Sequence, residues 1–206
     1  MLMQVNEEQK PVRGRPRAFD TEKALDAAMR VFWRKGYEGT SLSDLTAAMQ
    51  INRPSLYAAF GDKETLFRRV LDRYAAGPSA YLQAAMSAPT ARAAVEGILF
   101  GAIDLVSSPE NPAMCLIAQG TLVSGKEADA VRQEVNARRQ RGEMALRARL
   151  ERAVRDGELP PETDASTLAR YFVTIARGLG ISALGGATRD ELRAVAGIAL
   201  QNWPSV

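Results

Sequence analysis

The sequence predicts an all-α protein: a small N-terminal unit of short helices, followed by a larger helical body. Two observations carry this expectation. Apolar residues recur at spacings of three and four along most of the chain. No segment alternates β-branched and aromatic residues with the period of a strand. At 206 residues, 46% hydrophobic and 25% charged, the chain is long and apolar enough to bury a real core.

The elements follow in order. Asp20 caps a helix over residues 21–35, with Leu25, Ala28, Met29 and Phe32 on one face, and Gly36 stands at the left-handed C-cap position. Thr40-Ser41 opens a second, short helix. Ser41 and Asp44 have the spacing of a capping box, with Asp in place of Glu or Gln, and Leu42, Leu45 and Met49 form the inner stripe. Asn52 caps a third helix over about 53–59, with Pro54 in the first turn, where its missing N–H forfeits no bond. Asp62 caps a fourth, carrying Leu66, Val70 and Tyr74, and Gly77-Pro78 ends it. The expected division is therefore a polar arm over 1–18, a helix-turn-helix unit with its connector over 19–76, and a body over 77–206. Six further helices are expected near 79–88, 90–107, 113–124, 126–157, 164–185 and 188–203, broken by Pro89, the 109–112 loop, Gly125, Leu159-Pro160-Pro161 and Gly185-Gly186.

Composition excludes several functions. The chain has no histidine, so Ser-His-Asp and Cys-His catalysis and His-ligated metal sites are ruled out. Its one cysteine can form neither an intramolecular disulfide nor a multi-Cys zinc site, which fits a reducing, cytoplasmic setting. The first ten residues lack a signal-type apolar stretch, and the run Ile98–Val106 is short and holds Asp104, so a soluble protein without a membrane partner is expected. No cofactor, no metal and no catalytic residue is expected.

Charge is placed unevenly. Residues 1–74 hold 13 Lys and Arg against 10 Asp and Glu, whereas the remainder is balanced, so the net charge of +3 lies in the first third. Lys10, Arg13, Arg15 and Arg17 form a run without an acid, which suits either an anionic polymer or an ordinary solvated terminus.

Between residues 40 and 63, two short helices joined by Met49-Gln50-Ile51 make a helix-turn-helix, a double-stranded DNA reader. Arg53 can bond a guanine bidentately, Ser55 can meet a base or phosphate, and Tyr57 carries a hydroxyl at phosphate distance; Leu56 and Phe60 should face the core. The stretch TSLSDLTAAMQINRPSLYAAFGDKETLF resembles the DNA-binding signature of TetR-type transcriptional regulators in Thr40, Leu42 to Met49, Asn52, Leu56-Tyr57, Phe60 and Lys63-Glu64. Ala27 to Gly39 resembles the first helix of that family, and the likeness covers about residues 19–71. Gln50 stands where this turn often has Gly. The resemblance implies phosphate contacts for Thr40, with Ser41 beside it, and for Tyr57 and Lys63. It implies a groove-facing surface of Arg53, Pro54 and Ser55. It also implies a C-terminal ligand-binding and dimerisation domain. Lys63 additionally sits at a helix N-terminus, where backbone N–H groups favour an anion. Arg13-Gly14-Arg15-Pro16-Arg17 resembles the AT-hook core, whose arginines enter a narrow A·T-rich minor groove; a tail with only diffuse attraction is the alternative.

The body is expected to dimerise and to hold a small-molecule effector. Leu168, Phe172, Ile175 and Leu179, then Leu192, Val195, Ala199 and Trp203, recur at helical spacing, and resemble the family's four-helix dimer interface; the alternative is that they face only their own core. On the Arg-rich helix, charges alternate at i,i+4, as on a solvated face, so no second nucleic-acid site is expected. Its apolar stripe is interrupted by Arg138 or Arg139, and by Gly142, where an arginine beside a missing side chain could bind an anionic ligand or could snorkel to the surface. Candidate ligand contacts are Phe100, Ile103, Asp104, Met114, Cys115, Gln119, Leu122, Arg139 and Phe172, with Ile117 and Met144 near them. Cys115 is either a sensing thiol or a small buried hydrophobe.

The expected function is a DNA-binding transcriptional regulator, a ligand-responsive repressor that binds a palindromic operator as a homodimer. The alternatives are an architectural minor-groove binder without ligand control and a helical enzyme.

Overall fold

A computed structural model describes residues 19–119 and 128–204, apart from the side chain of Gln119. The helices among the described residues run in order: α1 (Thr21–Lys35), α2 (Leu42–Met49), α3 (Arg53–Phe60), α4 (Lys63–Ala76), α5 (Tyr81–Met86), α6 (Ala91–Ser107), α7 (Leu116–Gln119), α8 (Asp129–Arg155), α9 (Ala165–Leu184) and α10 (Arg189–Gln201). No strand occurs among the described residues.

Local chemistry sets the first four helices. Asp20 accepts hydrogen bonds from the Glu22 and Lys23 amides, and Asn52 and Asp62 from those of Ser55 and Thr65. Ser41 and Asp44 close a reciprocal capping box. Each cap satisfies amides that the first turn leaves without a helical acceptor. Gly36 ends α1 at φ +71°, a region closed to most side chains. Gln50 ends α2 at φ +55°, and is the one non-glycine residue at positive φ among the described residues. The body repeats the pattern: Asp164 caps α9, and a Thr188–Glu191 box caps α10.

Two apolar cores result. The first joins α1–α4 through Phe32, Leu45, Leu56, Phe67 and Tyr74, and continues across the expected boundary at residue 77 to Leu105, Leu116, Val131 and Val135. The second is built by α5, α6, α8, α9 and α10 around Leu99, Ile103, Leu150, Phe172 and Leu192. Helix α4 thus belongs to the small unit while packing on the body. The α5–α6 contact is close: an added Cβ at Gly101 would overlap the Tyr81 ring.

The expected dimer stripe divides. Phe172, Leu179, Leu192 and Ala199 are buried in the protomer's own core, and Leu168, Ile175 and Trp203 pack against it half-buried. Of the eight, Val195 is exposed, and it is joined on the outside by Ile181, Leu184 and Ile198. Both helices are apolar on more than one face, so spacing alone does not separate core from surface.

Candidate DNA interface and ligand cavity

The short α2–turn–α3 unit presents a polar surface. Leu45, Met49, Leu56 and Phe60 anchor it from beneath. Arg53 and Pro54 are exposed at the start of α3, Ser55 is half-buried, and Tyr57 is 49% exposed one turn further on. The Arg53 guanidinium donates to the Ser43 hydroxyl at 3.1 Å, which draws it across α2 and holds it at the helix start. Ser41 is exposed, but its hydroxyl serves the capping box.

Thr40 departs from the expected phosphate contact. Its side chain is 1% exposed, and its hydroxyl donates to the Gly36 carbonyl at 2.6 Å, locking the α1–α2 turn. Lys63 is better placed. Its ammonium lies 4.5 Å from the centre of the Tyr37 ring, at the N-terminus of α4. Burial against that ring pulls the Lys63 pKa below its ordinary value, while the Glu38 and Asp44 charges act the other way. A phosphate beside it would stabilise the charged form. Arg13, Arg15 and Arg17 lie outside the described residues.

At the opposite end of α4 a cavity of about 530 Å³ opens between the small unit and the body. Its wall is mostly apolar, with Leu71 and Tyr74 from α4, Tyr81 and Met86 from α5, Ile98 and Ala102 from α6, and Val173 and Ala176 from α9. Cys115 and Ile117 reach it from the loop and helix that follow α6. Arg138, Arg139, Arg141 and Gly142 on α8 and Arg177 on α9 supply its polar side. Burial raises the Tyr74 and Tyr81 pKa values, and the neighbouring Cys115 adds to both. The Tyr74 hydroxyl is buried beside Cys115 and the Leu116 backbone.

Of the expected ligand contacts, the structure brings Cys115, Ile117 and Arg139 to this cavity. Others among the described residues lie elsewhere. Ile103 and Phe172 fill the second core. Phe100 lies under the Arg193 guanidinium, 4.8 Å from its ring centre. Asp104 pairs with Arg189 on the exterior. Met114 is buried, with its carbonyl accepting from Trp33, and Met144 is exposed. Gln119 ends α7, its side chain beyond the described part, and Leu122 lies outside the described residues. Arg177, Tyr74 and Tyr81 line the cavity without being singled out by the sequence pattern. The signal that marks Arg139, a base on an apolar stripe, applies equally to Arg177, which stands four residues from both Val173 and Ile181 on one face of α9.

An exposed helix-turn-helix seated by one end of α4, with a cavity at the other, defines a DNA-binding regulator built in two connected units. The model of the bacterial regulatory proteins of the tetR family matches residues 24–70, and that of the tetracyclin repressor-like C-terminal domain matches residues 91–197. The chain therefore belongs to the TetR family of transcriptional regulators. It is 37% identical over 201 residues to the HTH-type transcriptional repressor ComR of Escherichia coli K12, covering 96% of this chain and 95% of ComR. It is 49% identical over 70 residues to the HTH-type transcriptional repressor BdcR of the same strain, covering 34% and 36% of the two chains. Among solved structures it is similar to a cysteine mutant of the TetR family transcriptional regulator CifR complexed with 26-bp double-strand operator DNA, with a TM-score of 0.88 and 42% identity, covering 92% of this chain and all of that one. No helix among the described residues is long and apolar enough to cross a membrane.

Proposed function

We propose that the protein is a ligand-responsive transcriptional repressor that binds a two-fold operator as a homodimer in the cytoplasm. The observation that carries this reading is the course of α4. Its 14 residues span about 21 Å. One end places Lys63 beside the recognition helix, and the other places Leu71 and Tyr74 in the cavity wall. A small molecule that fits the cavity in only one position of α4 shifts the population toward that position, and so changes where α3 sits.

A second link ties α4 to α8. Arg138 donates to Glu134 on its own helix and to Asp72 on α4, both at 2.6 Å, and Arg68 on α4 lies 3.7 Å from Glu134. Displacement of α8 by a ligand therefore pulls on α4. ComR and BdcR, both named repressors, and the operator complex of CifR support DNA binding and repression. In this reading Arg53, Pro54 and Ser55 face the groove, Tyr57 and Lys63 hold phosphates, and Arg13, Arg15 and Arg17 add contacts in the minor groove.

One helix-turn-helix buries little DNA surface, so recognition requires two related copies. The exposed Ile181, Leu184, Val195 and Ile198 on α9 and α10 supply an apolar face for the second copy. The test is footprinting of the DNA flanking the protein's own gene, with the molar mass of the bound species measured in parallel. A protected palindrome bound by a dimer, lost together with dimerisation in Ile198→Glu, is expected. Equal affinity for random DNA, or binding by a monomer, would contradict the proposal.

A further inference from the structure

The cavity wall carries more positive charge than its own carboxylates neutralise. Among the described residues four arginines line it, Arg138, Arg139, Arg141 and Arg177, against one acid, Glu143. They are not equivalent. Arg138 is satisfied by Glu134 and Asp72, and Arg141 lies 3.5 Å from Glu134. Glu143 is shared: Arg170 takes it at 3.2 Å, leaving Arg177 at 4.0 Å. Arg139 has no carboxylate partner among the described residues. Burial, and then the charge of Arg139 across the α8–α9 side of the cavity, lowers the Arg177 pKa. Placing two half-buried guanidinium groups together without a matching anion is costly unless a ligand supplies one.

The rest of the wall sets the remainder of the ligand. Ile98, Ala102, Leu105, Val106, Val173 and Leu146 offer no hydrogen bond, and the cavity is large enough for a body of about ten carbons. Gly142 lies on α8 beside the arginines, and nothing stands within 4 Å of where its Cβ would be. That missing side chain leaves room for a head group next to Arg139.

We infer that the cavity binds an amphipathic organic anion, with its carboxylate or phosphate held between Arg139 and Arg177 and its apolar body lying against α4, α5 and α6. This rests on the ligand-responsive reading above and specifies the chemistry of its effector. A guanidinium pair with no imidazole or ammonium lining the cavity among the described residues suits a planar or tetrahedral oxyanion, met by paired N–H donors.

The test is calorimetric titration of the full-length protein with a matched ten-carbon series: decanoate, decyl phosphate, decanol and decylammonium. The two anions are expected to bind about tenfold or more tightly than decanol, and decylammonium most weakly. The difference between decanoate and decyl phosphate distinguishes a carboxylate from a phosphate source. Arg139→Gln and, separately, Arg177→Gln are expected to bring the anion-to-alcohol ratio down toward one while decanol affinity stays within about threefold. Gly142→Leu, whose Cβ meets nothing within 4 Å, is expected to weaken every member. Circular dichroism checks each variant's fold. Equal binding of anion and alcohol, an anion preference surviving in both arginine variants, or no saturable binding of any member would overturn the inference. Operator release is scored separately. Arginine-dependent anion binding that leaves the operator complex intact supports this inference and removes the ligand-release reading. Release by an uncharged molecule in the absence of anion binding does the reverse.

Discussion

The indole nitrogen of Trp33 donates a buried hydrogen bond to the carbonyl of Met114, joining the centre of the small unit to the segment that carries Cys115 and Ile117 into the cavity wall. The Trp33 ring also meets Tyr74 edge-to-face, with ring centres 5.0 Å apart. Two residues of the DNA-binding unit thus touch the cavity's frame by different routes. Trp33→Phe keeps most of the ring and removes the donor, which leaves a buried carbonyl without a partner. The expected loss is about 1–3 kcal/mol of unfolding free energy in urea. A loss below about 0.3 kcal/mol would show that the bond adds nothing to the junction.

The left-handed turn at Gln50 gives a prediction of opposite sign. An ordinary side chain at positive φ is strained by about 1–2 kcal/mol, and glycine recovers that while losing about 0.5–1 kcal/mol through unfolded-chain entropy. Gln50→Gly is therefore expected to stabilise the protein by up to about 1 kcal/mol in a denaturant melt. A destabilised variant would mean that the Gln50 side chain makes a compensating contact.

Two helical glycines near the cavity should respond in opposite directions to the same substitution. At Gly101 an added Cβ runs into the Tyr81 ring, whereas at Gly142 it meets nothing. Gly101→Ala is expected to cost about 1–3 kcal/mol by overpacking. Gly142→Ala is expected to gain about 0.5–1 kcal/mol from helix propensity. Thermal melts of the pair check this, and equal shifts would contradict the close α5–α6 packing.

Stability should fall in acid partly through Glu158. Its carboxylate accepts from the Ala91 amide at the start of α6 and from Arg149, whose side chain is buried. The Ala91 hydrogen bond is the larger cause, with the Arg149 hydrogen bond and charge adding to it, and they hold the pKa below the ordinary 4.5. A depressed carboxylate contributes its full stabilisation above the unfolded-state value and loses it as pH falls through the folded-state value. Wild type should therefore lose stability below about pH 4.5 more steeply than Glu158→Gln. Parallel pH profiles would contradict the assignment.

Local signals make the small unit readable. Asp20, Ser41, Asn52 and Asp62 each cap an amide two or three residues away, so their partners are in the same short stretch of sequence. Arg139 beside Gly142 is legible for a similar reason, as a base and a gap on one apolar stripe. The contacts that are not legible are long-range. Asp104 meets Arg189 from another helix, Trp33 meets Met114, and the Gly101–Tyr81 contact needs the α5–α6 angle. The outward set of Ile181, Leu184, Val195 and Ile198 cannot be separated from the inward Phe172 and Leu192 by spacing, because helices apolar on several faces carry no single stripe.

In the proposed function α3 reads base edges while Lys63 and Tyr57 hold the phosphate backbone. Its most direct test is a salt titration of binding to a selected operator duplex and to a random duplex, for wild type, Lys63→Ala and Arg53→Ala. Lys63→Ala should weaken both duplexes alike and reduce the log–log salt slope by about one for each phosphate that a subunit no longer neutralises. Arg53→Ala should leave binding to random DNA nearly unchanged and cost about 1–3 kcal/mol at one operator base position. Equal losses on both duplexes for Arg53→Ala, with an unchanged salt slope for Lys63→Ala, would contradict the account.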